Sequence, residues 1–271
     1  MSAMSAAPAG AFRYIERGDG SRTVVFLHGL FGRPENWAAV MDALCDDASG
    51  GRHSDCRRWR CLAPQLPIDR RASVSSRPFR SIHQLTGFVR AFLDAMGVER
   101  AVLCGNSLGG QVAIDFTLQH SERVEKLVLT GSAGLLERSL SGGERPKATR
   151  AFIREKAREV FYDPDPIVTD ELVEELHRML SDRAYARFLL RVAKASRDYN
   201  VKAHLPKLSV PVLLVWGRDD RITPPDVAYE FHSKIRDARL VLLERCGHAP
   251  PLERPRAFAE ALRAFLDDTG D

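Results

Sequence analysis

Gly105-Asn106-Ser107-Leu108-Gly109-Gly110 is the stretch on which the reading of this chain turns. The apolar run Ala101-Val102-Leu103-Cys104 leads into it, and a helical pattern from Gln111 to His120 leads out. A serine between strand and helix, with small residues two positions away on either side, is the arrangement of a nucleophile elbow. Gly105 and Gly109 are the small residues here. They let strand and helix approach where a Cβ would clash. The turn then holds the hydroxyl out above the end of a sheet, where a base can reach it. The glycine–serine pattern alone has little specificity, since about one chain in ten of this length matches it by chance. Its weight comes from the rest of the chain.

Working outward, Phe12 to Arg17 and Thr23 to Leu27 read as short strands around a Gly18-Asp19-Gly20 turn. Val24-Val25-Phe26-Leu27 is continuously apolar, as a strand buried on both faces should be, and it ends in His28-Gly29-Leu30-Phe31-Gly32. A helix is expected over Trp37–Leu44, a surface loop over Asp46–Arg58, a strand over Arg60–Pro64 and a long loop over Gln65–Arg80. Ser81 to Met96 has helical period, with Ile82, Leu85, Val89, Phe92 and Leu93 on one side. After the elbow helix, Val124 to Thr130 is another apolar strand. From Ala133 to about Leu208 only helical patterns occur, over 145–161, 169–180 and 182–196. Alternation then resumes with a strand over Val212–Trp216, a helix over Pro225–Ile235, a strand over Arg239–Leu243 and a helix over Pro255–Asp267. This rhythm predicts a mostly parallel sheet covered by helices on both faces. We expect a core of residues 11–132 and 209–271, a helical lid over 133–208 and a disordered tail over 1–10.

The 271 residues, 44% of them hydrophobic, suffice for one large α/β domain. The net charge of +4, from 40 basic and 36 acidic residues, is small. Arg57, Arg58 and Arg60 cluster, as do Arg70 and Arg71, but without aromatic interleaving or a DNA-binding motif, so nucleic acid is not an expected partner. The five cysteines show no framework of spacings, which fits a reducing, cytoplasmic compartment. Cys45, His53, Cys56 and Cys61 lie close in sequence, yet they lack the short paired spacing of zinc ligands, so no metal is expected there. No apolar run reaches the ~20 residues of a membrane span, and Met1–Gly10 has no signal-peptide core.

A serine hydroxyl needs a general base in hydrogen-bond reach and a third group to orient that base. Behind an elbow of this kind they follow in the order Ser, Asp or Glu, His. Only His248 follows a late strand in a tight loop, Glu244-Arg245-Cys246-Gly247-His248. The preceding strand runs into Trp216-Gly217-Arg218-Asp219-Asp220-Arg221 and supplies the acid. Of the two aspartates only one can face the imidazole, because adjacent residues point in different directions. The oxyanion hole needs two donors aimed at the developing charge. The N–H of Leu108 is one. The loop after the His28-Gly29 strand is the expected source of the other. His28 itself reads as a buried residue holding that loop.

These motifs, in this order, resemble the α/β-hydrolase superfamily over nearly the whole chain outside Met1–Gly10. The resemblance implies an α/β-hydrolase fold, Ser107 as nucleophile, His248 as base and Asp220 rather than Asp219 as the orienting acid. It places the second oxyanion donor at Leu30, with Phe31 as the alternative. It implies a small-molecule substrate and no cofactor. Within the superfamily, Asn106, the Trp-Gly-Arg-Asp-Asp-Arg segment and the Arg-Cys-Gly-His loop are similar to carbon–carbon hydrolases acting on ring-fission products of aromatic degradation. Those enzymes carry a Trp after the histidine, where this chain has Ala249, and an Arg in the lid, where it has Leu176 or His177. A carboxylic-ester hydrolase is therefore the more economical expectation, with carbon–carbon, thioester or lactone cleavage as alternatives and a non-catalytic binding protein as the reading from another class. Asn106, Phe31, Ala249, Leu135 and Leu176 are the candidate substrate-binding residues. Leu136, Phe152, Leu172, Met179, Phe188 and Val192 are further candidates in the lid, against ordinary helix packing. Arg178, Arg187, Arg191 and Lys194 are candidate carboxylate binders, against a solvated face.

Overall fold

The computed structural model describes residues 12–45, 59–69, 79–136 and 149–268. The expected tail over 1–10, the loop Asp46–Arg58 and residues 70–78 of the long loop lie outside these, as do His53, Cys56, Arg70 and Arg71. The described elements are β1 (Tyr14–Arg17), β2 (Arg22–Leu27), α1 (Ala38–Cys45), β3 (Trp59–Pro64), α2 (His83–Ala95), β4 (Ala101–Asn106), α3 (Leu108–Gln119) and β5 (Val124–Thr130). After these come α4 (Arg150–Arg158), α5 (Asp170–Ser181), α6 (Arg183–Asp198), β6 (Val212–Gly217), α7 (Pro225–Lys234), β7 (Ala238–Leu243), α8 (Pro250–Glu253) and α9 (Pro255–Asp267).

The strands form one sheet in the order β1-β3-β2-β4-β5-β6-β7. Every neighbouring pair is parallel except β1 with β3. Parallel strands need crossovers that carry helices onto the faces, so their residues must be apolar on both sides. That is why Val24–Leu27, Ala101–Cys104 and Val212–Trp216 read as unbroken apolar runs and are buried throughout. Alternating side chains sort them onto two faces. Val25, Leu27, Leu103, Leu127, Leu129 and Leu214 pack on one face with α2, α3 and α7. Val24, Phe26, Val102, Cys104, Val128 and Val215 pack on the other with α1 and α9. Trp37 joins that second face, its ring 5.0 Å from Phe26 and 5.7 Å from Phe258. Each such side chain contributes about 1.5–3 kcal/mol of burial energy.

Between β5 and β6 the described residues carry helices and no strand. Thr149 starts α4 by accepting the Phe152 N–H, Thr169 starts α5 through the Leu172 N–H, and Asp182 starts α6 through the N–H groups of Ala184 and Tyr185. Such caps satisfy donors that a helix start leaves open. The expected 145–161 helix is thus shorter, because Thr149 caps it at one end and the Val160 carbonyl turns to the His248 N–H at the other. Tyr185, Phe188, Leu189 and Val192 form the buried stripe of α6 and pack on the first face of the core. The end of this insertion is bolted to α3. Gln111 donates to the Ser196 and Tyr199 carbonyls at 2.9 and 2.6 Å, Ser196 Oγ donates to Gln111 Oε1, and the Tyr199 hydroxyl donates to Asp115.

Candidate active site

Ser107 sits between the last residue of β4 and the first of α3, with φ 54° and ψ −120°. A non-glycine residue at this φ stores about 1–3 kcal/mol of strain and survives only where its surroundings over-determine it. The surroundings here are main chain packed on main chain. A Cβ at Gly105 would lie 2.3 Å from the Gly109 carbonyl oxygen, and one at Gly109 would lie 2.2 Å from that of Leu27. The Ser107 N–H donates to the Thr130 carbonyl, and the Ser107 carbonyl accepts from Ala133 and from the first turn of α3. The Leu108 N–H opens that helix, where no intrahelical carbonyl exists to take it.

Asp220 lies in the loop after β6. Its Oδ1 accepts the N–H groups of Ile222 and Thr223 at 2.8 and 2.9 Å, and its Oδ2 accepts the Thr223 hydroxyl at 2.9 Å. The same Oδ2 is 2.9 Å from Nδ1 of His248. The Asp220 side chain has no exposure, and that of His248 is 10% exposed. Asp219 is exposed, and its N–H goes to the Cys246 carbonyl. The structure therefore brings Asp220, not its neighbour, to the imidazole. Thr223 is a member of this group that the sequence reading missed. An Asp followed three residues later by Thr was the available signal, since short polar side chains close such local turns.

The His248 loop packs on the ends of β4 and β5. Asn106 donates from its side-chain amide to the carbonyls of Thr130 and His248 at 3.0 and 3.2 Å. A Cβ on Gly131 would come within 2.9 Å of His248 Nδ1, so the residue after β5 abuts the ring. Ser107 and His248 are thus tied to the same strand end, Ser107 through Thr130 and His248 through Asn106. Asn106, read from the sequence as a substrate contact, has its amide N–H groups engaged with main chain.

His28 is buried at the end of β2. Its Nδ1 donates to the Gly29 carbonyl at 2.8 Å and its Nε2 accepts the Leu66 N–H at 3.0 Å. Burial holds its pKa down at about 4, so the ring is neutral near pH 7. Both nitrogens are occupied in bracing the loop that follows. In that loop Leu30 is half-buried and Phe31 is 47% exposed. Arg33 pairs with Glu175 of α5 at 3.1 Å, across from the loop to the insertion.

Ala249 is buried in an apolar cluster with Ile153, Phe161, Val168 and Val173, against which Leu176 packs. Leu135, Met179, Phe188 and Val192 belong instead to the core face beneath α6. Leu136 is exposed, and Phe152 and Leu172 are half-buried. Arg178, Arg187, Arg191 and Lys194 are all exposed; Lys194 pairs with Asp198, and Arg178 donates to a carbonyl of its own helix. Among the described residues no cluster of three or more His, Cys, Asp or Glu could hold a metal ion. None of the described helices is long and apolar enough to cross a membrane. A polar cleft of about 410 Å³ opens at the far end of α3, lined by His83, Asp115, Tyr199, His204 and Lys207, and shares no residue with this site.

A sequence model for a family described as the alpha/beta hydrolase family matches residues 24–261. A 2-hydroxy-6-oxononadienedioate/2-hydroxy-6-oxononatrienedioate hydrolase from Paraburkholderia phymatum is 30% identical, over 93% of this chain and 90% of its own. The protein of the same name from Paraburkholderia xenovorans is 28% identical, over 93% and 89%. Among solved structures, the 2-hydroxy-6-oxo-6-phenylhexa-2,4-dienoate hydrolase of Rhodococcus sp. strain RHA1 superposes with a TM-score of 0.78. It is 25% identical, with 96% of this chain and 97% of that chain covered.

Proposed function

The chain belongs to the alpha/beta hydrolase family, and we propose that it is a serine hydrolase that cleaves the carbon–carbon bond of a 2-hydroxy-6-oxo-dienoate, the kind of molecule made when an aromatic ring is opened. The observation that carries the catalytic part is the buried Asp220–His248 pair, 2.9 Å apart, against the strand end that also holds Ser107. His248 takes the Ser107 proton, and Asp220 keeps the imidazole in the tautomer with Nδ1–H and stabilises the imidazolium. Ser107 Oγ attacks the keto carbon. The N–H groups of Leu108 and Leu30 hold the oxyanion. The dienol first ketonises, its 2-hydroxyl proton passing to C5, so that the tetrahedral centre collapses by expelling C5 as a carbanion whose charge spreads into the 2-oxo-enoate, and His248 gives that carbon the proton it took from Ser107. Water, activated by His248, then releases the acid from Ser107.

The bond type is supported by relatives that match this chain along about nine-tenths of both lengths and carry that activity in their names. One observation favours a second reading, a carboxylic-ester hydrolase. Ala249, at the position where the carbon–carbon hydrolases carry a Trp, packs its small apolar side chain with Ile153, Phe161 and Val168. Ester cleavage uses the same residues, with an alkoxide as leaving group. The insertion over 133–208 acts as the lid in either case. It reaches the site at Val160, whose carbonyl takes the His248 N–H, and at Glu175, which pairs with Arg33.

One plate tests both readings: a ring-fission dienoate beside p-nitrophenyl esters of rising chain length, with Ser107→Ala as control. Turnover of the dienoate at a kcat/KM well above that of any ester supports carbon–carbon cleavage, and the reverse order supports the ester reading. Turnover or fluorophosphonate labelling retained in Ser107→Ala overturns the mechanism.

A further inference from the structure

The imidazole of His248 is oriented by Asp220, but an imidazole is only as well placed as the main chain that carries it. Three consecutive N–H groups of this loop, those of residues 247–249, are taken up outside the sheet ladder. The His248 N–H donates to the Val160 carbonyl at 2.8 Å. Those on either side converge on one carboxylate. Gly247 donates to both oxygens of Glu253, at 3.0 and 2.9 Å, and Ala249 donates to Oε1 at 3.2 Å. Glu253 Oε2 also accepts the N–H of Tyr162, at 2.7 Å, from the segment that follows α4.

The surroundings explain why one side chain carries so much. Arg245 has φ 52°, and Gly247 packs so closely on the inserted segment that a Cβ would meet the Val160 carbonyl oxygen at 2.6 Å. Residues 244–249 lie in no helix or strand, so no ladder takes up their N–H groups. Pro250 and Pro251 start α8 directly after it and bring Glu253 back underneath. An ionised carboxylate is the acceptor that can satisfy several N–H donors at once.

We propose that Glu253 is a positioning residue for His248. It is a brace that fixes the loop backbone and fastens it to the inserted segment Val160–Tyr162, and so holds the imidazole in place for Ser107. The proposal rests on the reading of His248 as general base. It assigns Glu253 no contact with substrate. Its effect runs through the acceptor geometry of the carboxylate rather than through its charge.

Three variants separate geometry from charge. Glu253→Ala removes every acceptor. Glu253→Asp keeps the charge but withdraws the oxygens by one methylene. Glu253→Gln loses the charge and keeps one oxygen at full reach, which Gly247 and Ala249 can share, but it turns its NH2 to the Tyr162 N–H, which an amide nitrogen cannot accept. The readouts are the rate of Ser107 labelling by a fluorophosphonate, which needs no knowledge of the substrate, and the split between kcat and KM on the best substrate of the plate above. An error of about 1 Å in a catalytic base lowers rate by up to ~100-fold. Labelling and kcat are expected to fall on the order of 100-fold in Ala and about 10-fold in Asp. Gln, which keeps the bonds from Gly247 and Ala249 and loses the one from Tyr162, should fall by about 10-fold, less than Ala, with KM within about threefold throughout. Folded Ala or Asp that labels at the wild-type rate overturns the proposal, and so does Gln as slow as Ala. If Ala fails to fold, Asp decides alone, and a wild-type labelling rate in Asp overturns the proposal. Wild-type protein that does not label at all refutes the reading of Ser107, whereas labelling unchanged across the variants refutes only the role of Glu253.

Discussion

Asp220 Oδ2 stands 2.9 Å from His248 Nδ1, and the same carboxylate accepts from Ile222 N–H, Thr223 N–H and the Thr223 hydroxyl. The carboxylate is fully buried and held by neutral donors on its far side. It can face the imidazole in one orientation only. Asp220→Asn keeps the shape but presents an amide that stabilises the wrong tautomer. We expect kcat to fall by about 10³–10⁴ with little change in KM, on the precedent of Ser-His-Asp triads elsewhere. Steady-state kinetics on the best substrate, with circular dichroism to confirm folding, checks this. A loss below tenfold would detach Asp220 from the chemistry.

Ser107 carries backbone strain that its hydroxyl does not relieve. At φ 54° a glycine is at ease and an alanine is not. Ser107→Gly and Ser107→Ala both remove the nucleophile, so their difference reads the strain alone. Glycine should be the more stable by about 1 kcal/mol, even though it has more unfolded-state entropy to lose. Urea denaturation of the two variants measures it. An alanine variant equal to or more stable than the glycine one would mean the elbow is unstrained.

At Gly109 the opposite result is expected. An added Cβ would sit 2.2 Å from the Leu27 carbonyl oxygen, in the middle of the sheet rather than at a flexible tip. Strand β2 and helix α3 would have to separate. Gly109→Ala should lose about 3 kcal/mol or more, or fail to accumulate as folded protein. Thermal melts beside Gly87→Ala test it. A Cβ at Gly87 meets nothing within 4 Å, so that change should be neutral or stabilising.

His28 sets a pH dependence of stability. Its folded pKa is about 4, below the ordinary 6.5, because burial disfavours the charged ring. Above pH 6.5 neither folded nor unfolded His28 holds the extra proton, and the group has no effect on slope. As pH falls from 6.5 toward 4 the unfolded chain binds the proton and the folded chain does not, so stability drops. Over that window the loss due to this group is about 3 kcal/mol. Urea midpoints between pH 7 and 4 should therefore fall more steeply in the wild type than in His28→Gln. Parallel curves would show that His28 is not buried neutral.

The motifs that place the chemistry were legible because each is local. The apolar run Val24–Leu27 is buried on both faces, and the glycines around Ser107 mark a main-chain approach that no other residue permits. His248 could be singled out among the histidines because a strand precedes it and a tight loop holds it. The bracing groups were not legible. Gln111 reads as an ordinary polar residue of α3 until Ser196 and Tyr199 come to it from 85 and 88 positions away. Glu253 reads as one charge on a short helix until Tyr162, 91 residues earlier, donates to it. Asn106 adjoins the nucleophile in sequence, and nothing local shows that its amide holds the His248 carbonyl, 142 residues on.

By itself the sequence determined the elements whose cause is periodic or steric within a few residues. These are the buried parallel strands, the elbow at Ser107, the helical stretch after β5 and the family of the chain. Tertiary structure alone decided which carbonyls Gln111 of α3 takes up and which donors fasten the His248 loop. Those outcomes depend on main-chain groups that every residue carries alike. A carbonyl at Val160 or an N–H at Gly247 leaves no mark in the letters of the chain, and only the folded path brings it within 3 Å of its partner.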